Sequence, residues 1–273
     1  MQQAVSPIST ILKLGTSCGW LYLKAPAFGN NEFSITKAVH TLFPDSICDV
    51  IGVNHKLNAF VSKEFDDDEE PHFREVVIEM AQLQMDSVEH LDKLTAAGCK
   101  TLSLEVISKR IEDWLSDKDF EQAFGGHIES FRESSAKLQD LCSQLIGCRV
   151  PLTLVHGDLG LRNAAKSETE EKFILFDWQY ACISHPFFDL HEVRHELDPI
   201  IVDECLSLWE KYADREEIDK AHQITAVLGW MPKLWSMIEC LKHSYPERNS
   251  SLAAFARDRF HYMKREIEEF ELD

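Results

Sequence analysis

The sequence predicts an α+β protein of two unequal parts, a small β-rich lobe over residues 1–65 and a larger, mainly helical lobe over residues 66–273. Three observations carry this expectation. Short apolar runs separated by turn residues fill the first part. Beyond the acidic run Asp66-Asp67-Asp68-Glu69-Glu70 the apolar period becomes helical. One compact β-like block, Pro151 to Trp178, then interrupts the helical part. A chain of 273 residues, at roughly 150 residues per domain, has room for two such units.

Taken in order, Ile11-Leu12-Lys13-Leu14 and Trp20-Leu21-Tyr22-Leu23 read as strands, with Gly15 to Gly19 turning between them. Glu32 to Phe43 reads as a helix, stopped by Pro44 just past its end. Asp49 to Phe65 is β-rich and contains the apolar run Ala59-Phe60-Val61. The acidic run that follows reads as a solvated linker ended by Pro71. Phe73, Val76, Val77, Met80, Leu83, Val88, Leu91 and Leu94 form one helical stripe, stopped near Gly98. Ile128, Phe131, Leu138, Leu141 and Leu145 form another, and Leu228, Met231, Trp235 and Ile238 a third, read as core.

Composition bounds the partners. With 28 basic and 47 acidic side chains the net charge is −19, which repels a nucleic-acid backbone or an anionic membrane surface. The first residues show no charged and apolar leader, and no stretch reaches the ~18 apolar residues of a membrane span. Eight cysteines are scattered without a Cys-x-x-Cys pair, as expected of buried, reduced side chains in a cytoplasmic protein.

The informative block runs from Leu152 to Asp189. The apolar strand Leu152-Thr153-Leu154-Val155 delivers His156-Gly157-Asp158-Leu159-Gly160-Leu161-Arg162-Asn163, and a second apolar strand, Phe173-Ile174-Leu175-Phe176, ends on Asp177-Trp178. A hairpin of those two strands is expected to gather Asp158, Asn163 and Asp177 at one end. Phosphoryl transfer needs that set: a carboxylate to take a hydroxyl proton and hard oxygen ligands for Mg²⁺. In a chain of this composition, His-Gly-Asp-x(4)-Asn arises by chance roughly 0.001 times.

These residues, with His185-Pro186-Phe187-Phe188-Asp189-Leu190 behind them, resemble the core of the aminoglycoside phosphotransferase/choline kinase family. The resemblance is sharp over Leu152 to Leu190 and softer over Ser6 to Phe65. It implies a two-lobed protein-kinase-like fold and Mg²⁺-dependent transfer of a phosphate from ATP, or GTP, to a hydroxyl of an aminoglycoside-, choline- or sugar-like small molecule. By motif, Asp158 would be the catalytic base, Asn163 and Asp177 the metal ligands, and Asp189 an organiser of the catalytic loop. Lys24 would contact the nucleotide phosphates, Glu32 would pair with Lys24, and the backbone near Lys63-Glu64-Phe65 would form the adenine hinge, with Glu64 a cofactor-binding residue.

The chain departs from the family before Lys24. No Gly-rich loop is present, and only 23 residues precede the lysine, so the first strand is expected to be short or missing. Val5 to Thr10 stand where phosphates would be covered, with Ser6, Ser9 and Thr10 the available donors. A pseudokinase that binds nucleotide without transfer is therefore the alternative. A remote one is a zinc hydrolase, since His191-Glu192-Val193-Arg194-His195 matches His-Glu-x-x-His; surface histidines on an acidic helix are the plainer expectation. For the acceptor, Trp230, Trp235 and Tyr245 could form an aromatic wall, and with the acid excess that wall suits a cationic amine.

Overall fold

A computed structural model of the chain describes residues 2–6, 9–17, 19–26, 31–63, 71–166, 173–243 and 246–270. The N-terminal part is a five-stranded antiparallel sheet carrying one helix. Its strands are β1 (Gln2–Val5), β2 (Ser9–Thr16), β3 (Gly19–Pro26), β4 (Val50–Asn54) and β5 (Ala59–Lys63), in the order β1-β2-β3-β5-β4. Helix α1 (Glu32–Leu42) lies between β3 and β4. A first strand precedes the β2–β3 hairpin and is short, one of the two outcomes expected: Gln2 to Val5 pair with Lys13 to Thr10. The signal is weak because Gln2-Gln3-Ala4-Val5 has little apolar alternation to show. The turn between β1 and β2 closes on itself, Ser6 N–H donating to Ser9 O over 2.9 Å and Ser9 N–H to Ser6 Oγ over 3.0 Å.

The second part is mainly helical. The predicted long stripe is split in two, α2 (Phe73–Ser87) and α3 (Leu91–Ala96), by a tight turn over Val88–His90. The Ser87 hydroxyl explains part of the break. It donates to Gln84 O at 2.6 Å and accepts Leu154 N–H at 2.8 Å, tying the helix end to a strand far along the chain. Next come β6 (Lys100–Thr101), α4 (Leu104–Trp114), α5 (Lys118–Phe124) and α6 (Ile128–Leu145). The core here is aromatic. Trp114 stacks on Phe120 with centroids 5.2 Å apart, Phe120 on Phe124 at 4.2 Å, and Phe131 packs on Phe120 at 4.9 Å. All four are fully buried.

The β block contains β7 (Thr153–Val155), β8 (Ala164–Lys166), β9 (Phe173–Leu175) and β10 (Cys182–Ser184). The expected hairpin is made differently from the sequence reading. β9 pairs with β8, the strand that follows the His156–Asn163 loop, and β7 instead pairs antiparallel with β10, which also lies parallel to β6. A short strand directly after the loop reaches β9 with less chain than β7 does, and Ala164-Ala165-Lys166 is too bland to announce itself.

The chain closes with α7 (Phe188–Val193), α8 (Pro199–Ser207), α9 (Arg215–Leu228), α10 (Trp230–His243) and α11 (Pro246–Glu269). Asp198 and Asp214 cap α8 and α9, accepting Ile200 N–H at 2.8 Å and Glu217 N–H at 3.1 Å. Gly229, between α9 and α10, lets α7 pack closely: a Cβ there would lie 2.4 Å from His191 Cβ. Trp230, Met231, Trp235 and Ile238 are buried, so the third stripe is core as expected. No helix among the described residues is long and apolar enough to cross a membrane.

Four histidines, His156, His185, His191 and His222, are held below their ordinary range, in each case chiefly by burial. For His185 burial, with His222 adding to it, lowers the value to about 3. An unfolded histidine takes up a proton near pH 6.5, whereas His185 in the folded chain does not until about pH 3. Its stabilisation is therefore complete above pH 6.5 and is lost as pH falls through that value. Between pH 7 and pH 4 the loss from this residue is about 3 kcal/mol. Urea midpoints measured across that range should fall in the parent chain, and His185→Gln should give a visibly shallower fall.

Candidate active site

Lys24 occupies β3, a strand flanked by β2 and β5, with Ile11 and Phe60 as its paired neighbours. That position carries its side chain into the protein, where it is 7% exposed. Glu32 opens α1 and is fully buried. The Lys24 ammonium lies 2.7 Å from Glu32 Oε1 and 2.7 Å from Asp177 Oδ1. Burial pushes that ammonium down, and the two carboxylates outweigh burial and hold it above its ordinary value. For Glu32 burial wins, raising the carboxyl to about 7 against the pull of Lys24.

The loop after β7 is set by its first and last residues. His156 is wholly buried against the Trp178 ring at 4.6 Å, and its Nε2–H donates to Phe176 O at 2.9 Å. Gly157 sits at φ +76°, and a Cβ there would come within 2.6 Å of Tyr180 O, so the position admits glycine alone. Both backbone N–H groups of this turn are taken by one carboxylate: Asp189 Oδ2 accepts His156 N–H at 2.9 Å and Oδ1 accepts Gly157 N–H at 2.8 Å. Gln84 Nε2 donates to the same carboxylate at 2.9 Å. Burial raises the Asp189 carboxyl to about 7, against those three donors.

Asp158 follows directly. Its Oδ1 accepts from Arg162 Nη2 at 2.5 Å and from Lys233 Nζ at 2.7 Å, while Asn163 Nδ2 donates to its Oδ2 at 3.1 Å and its backbone O at 2.7 Å. Burial alone would raise this carboxyl; Lys233, then Arg162, outweigh it and hold the group below the usual carboxylate range. Phe176 N–H donates to Asn163 O at 3.0 Å, extending the β8–β9 pairing and setting Asp177 beside Asn163. Asp177 adopts the left-handed conformation, φ 67° and ψ 56°, a strained geometry for a residue other than glycine.

The structure thus brings together five of the seven residues expected to form the site: Lys24, Glu32, Asp158, Asn163 and Asp177. Ser9 lies in the adjoining turn, buried and bonded to Ser6, on the strand that pairs with the Lys24 strand. Glu64 lies outside the described residues, as does Tyr245. Asn163 and Asp177, brought near each other by the β8–β9 pairing, each carry a hard oxygen of the kind Mg²⁺ takes.

The His-Glu-x-x-His match does not assemble a zinc site. Helix α7 ends at Val193, so the motif does not complete a helical face. His191 is buried with Nδ1 at 2.6 Å from Ala226 O, Glu192 pairs with Lys233 at 2.6 Å, and His195 is exposed. Among the described residues no three His, Cys, Asp or Glu side chains are placed to hold a metal.

Lys233 is the residue that the motif reading missed. It projects from α10 and is only 3% exposed. The signal was there: it is the one charge in the run Gly229 to Ile238. Arg162, inside the motif but at a variable position of it, was also passed over.

No protein-family model matches the chain, and no curated protein sequence matches it. Solved structures do. The fold is that of the kinase-like small-molecule phosphotransferases. It is similar to an ethanolamine kinase of Plasmodium vivax, with a TM-score of 0.63 and 12% identity, over 96% of this chain and 81% of that one. It is similar to the choline kinase LicA of Streptococcus pneumoniae, at a TM-score of 0.62 and 14% identity, over 98% and 92% of the two chains. A third is an aminoglycoside phosphotransferase in ternary complex with AMP-PNP and hygromycin B, at 0.56 and 14%, over 97% and 93%.

If Asp189 shapes the loop through its two backbone bonds, Asp189→Ala strands both N–H groups in a buried place. Each orphaned donor costs roughly 1–3 kcal/mol, so the variant should lose about 2–5 kcal/mol in chemical denaturation. Asp189→Asn, which keeps one acceptor oxygen, should lose less.

Proposed function

We propose that the protein is a phosphotransferase that moves the γ-phosphate of ATP to a hydroxyl of a small molecule, with Mg²⁺ as the metal. The observation that carries this reading is the Lys24 ammonium, 2.7 Å from both Glu32 and Asp177, a residue 153 positions away that stands beside Asn163. A cation between a helix carboxylate and a metal-ligand carboxylate is where nucleotide phosphates need one. The likeness to kinases and phosphotransferases, one of them solved with AMP and another with AMP-PNP, supports the same reading.

In this scheme Lys24 exchanges the Asp177 carboxylate for the α- and β-phosphates, and Glu32 keeps the lysine in place. Asp177 and Asn163 would hold Mg²⁺, which would offset the charge of the phosphates. Asp158 accepts the proton of the acceptor hydroxyl as its oxygen attacks the γ-phosphorus; the new O–P bond forms, the bond to the β-phosphate oxygen breaks, and ADP leaves. Glycine-free cover over the phosphates comes from the Ser6–Ser9 turn between β1 and β2, with Ser9 a nucleotide contact, and the adenine lies near Glu64. Lobes divided at residues 65 and 66 would meet across this site. The seven cysteines among the described residues are free, in keeping with a cytoplasmic protein.

The pseudokinase reading separates cleanly. Asp158→Asn should keep Mg²⁺-dependent ATP binding and lower turnover ~10²–10⁴-fold, a barrier rise of ~3–5 kcal/mol. Asp177→Ala should abolish that binding, measured by calorimetry with and without Mg²⁺. A parent chain that fails to bind ATP with saturating Mg²⁺ defeats the nucleotide reading altogether. Binding without transfer to any hydroxyl compound identifies the pseudokinase.

A further inference from the structure

We infer that the acceptor alcohol carries an anionic group, a carboxylate or a phosphate. The inference rests on the phosphotransferase reading and adds to it the chemistry of the acceptor.

A site for a cationic acceptor must present carboxylates or open aromatic faces beside Asp158. Most of these elements already hold a cation of the chain itself, Glu192 Oε1 being the buried carboxylate oxygen left without a partner among the described residues. Asp158 Oδ1 takes Lys233 at 2.7 Å and Arg162 at 2.5 Å, and Glu192 Oε2 takes the same Lys233 ammonium at 2.6 Å. The Tyr180 ring has Lys233 over it at 5.5 Å. The Trp235 ring has the Arg110 guanidinium over it at 4.3 Å. The Trp230 ring has Arg259 at 5.4 Å and Arg194 at 6.0 Å, and its indole N–H is spent on Glu266 at 2.7 Å. Those rings therefore each carry a cation of the chain already, with Tyr180 and Trp235 also lining an open cleft.

Displacement does not rescue a cationic acceptor. The Lys233 side chain is 4% exposed and those of Asp158 and Glu192 are 11% and 8% exposed. An incoming ammonium that took the lysine's place would exchange one cation for another and leave Lys233 without a carboxylate in a buried setting, which is unfavourable. An anion needs no such exchange, since it can share the Lys233 and Arg162 charges where they stand. The cleft running on from Tyr180 adds Lys100, which makes no ion pair among the described residues, and the amide Asn31. Lys233 thus acts as a recognition residue for the anionic group of the acceptor.

The test uses the full chain, with Mg²⁺ and AMP-PNP, and small alcohols matched in size: glycerate and glycerol 3-phosphate against ethanolamine and choline. Calorimetric binding should favour an anionic alcohol over both amines by at least ~10-fold, since close unlike charges in a buried site are worth a kcal/mol or more. Lys233→Met, which leaves Asp158 and Glu192 without their cation, should reverse the order. Lys233→Arg, a charge-preserving control for folding, should keep it. Amines that bind the parent chain as tightly as the anions, or a selectivity that Lys233→Met leaves unchanged, overturn the inference. Loss of AMP-PNP binding is read separately, in the titration without alcohol, and counts against the nucleotide reading instead.

Discussion

One ammonium group ties the site together. Lys24 comes from an N-terminal strand, Glu32 from the helix after it, and Asp177 from the end of a hairpin in the helical part. A buried ion pair contributes little net stability, because stripping water from three charges costs about what their attraction returns. Its value lies in placement. With the lysine 7% exposed and Glu32 fully buried, neither can wander, and Asp177 is drawn to a defined point beside Asn163.

The loop after β7 depends on a second constraint, independent of the first. Asp189 spends both carboxylate oxygens on backbone N–H groups of His156 and Gly157. Gly157 in turn has no space for a Cβ against Tyr180, and His156 reaches across to Phe176, the residue before Asp177. The loop, the hairpin end and the first turn of α7 are thereby fixed to one another through polar bonds rather than apolar packing. That choice costs solvation, which is why burial drives both Glu32 and Asp189 to about 7. Carboxylates kept at such a cost belong to geometry that must not drift.

Much of this was legible in the sequence, and the boundary of legibility has physical causes. Asp158, Asn163 and Asp177 could be read because loop chemistry demands particular side chains at close spacing. The helices over Glu32–Leu42 and Ile128–Leu145 showed through their period. Strand pairing did not. β7 and β9 looked like partners, yet the bonding goes to β8 and β10, because three-residue strands carry no register information in their side chains. β1 was hidden for the same reason. Lys233 was invisible as a partner of Asp158, because 75 residues of chain separate them and only the packing of α10 on the loop brings them together.

The charge balance also takes a more local meaning. A net charge of −19 repels a nucleotide at long range and attracts cations, and taken alone it points toward a cationic acceptor. At the site the order is inverted. Lys24, Arg162 and Lys233 face the carboxylates that chemistry requires, and Arg110, Arg194 and Arg259 cover the aromatic rings. Screening removes the far field within about 10 Å at ordinary ionic strength, whereas contacts below 3 Å between buried groups survive it. The acidic composition sets the long-range field, and Lys233 and Arg162 set the local one at Asp158.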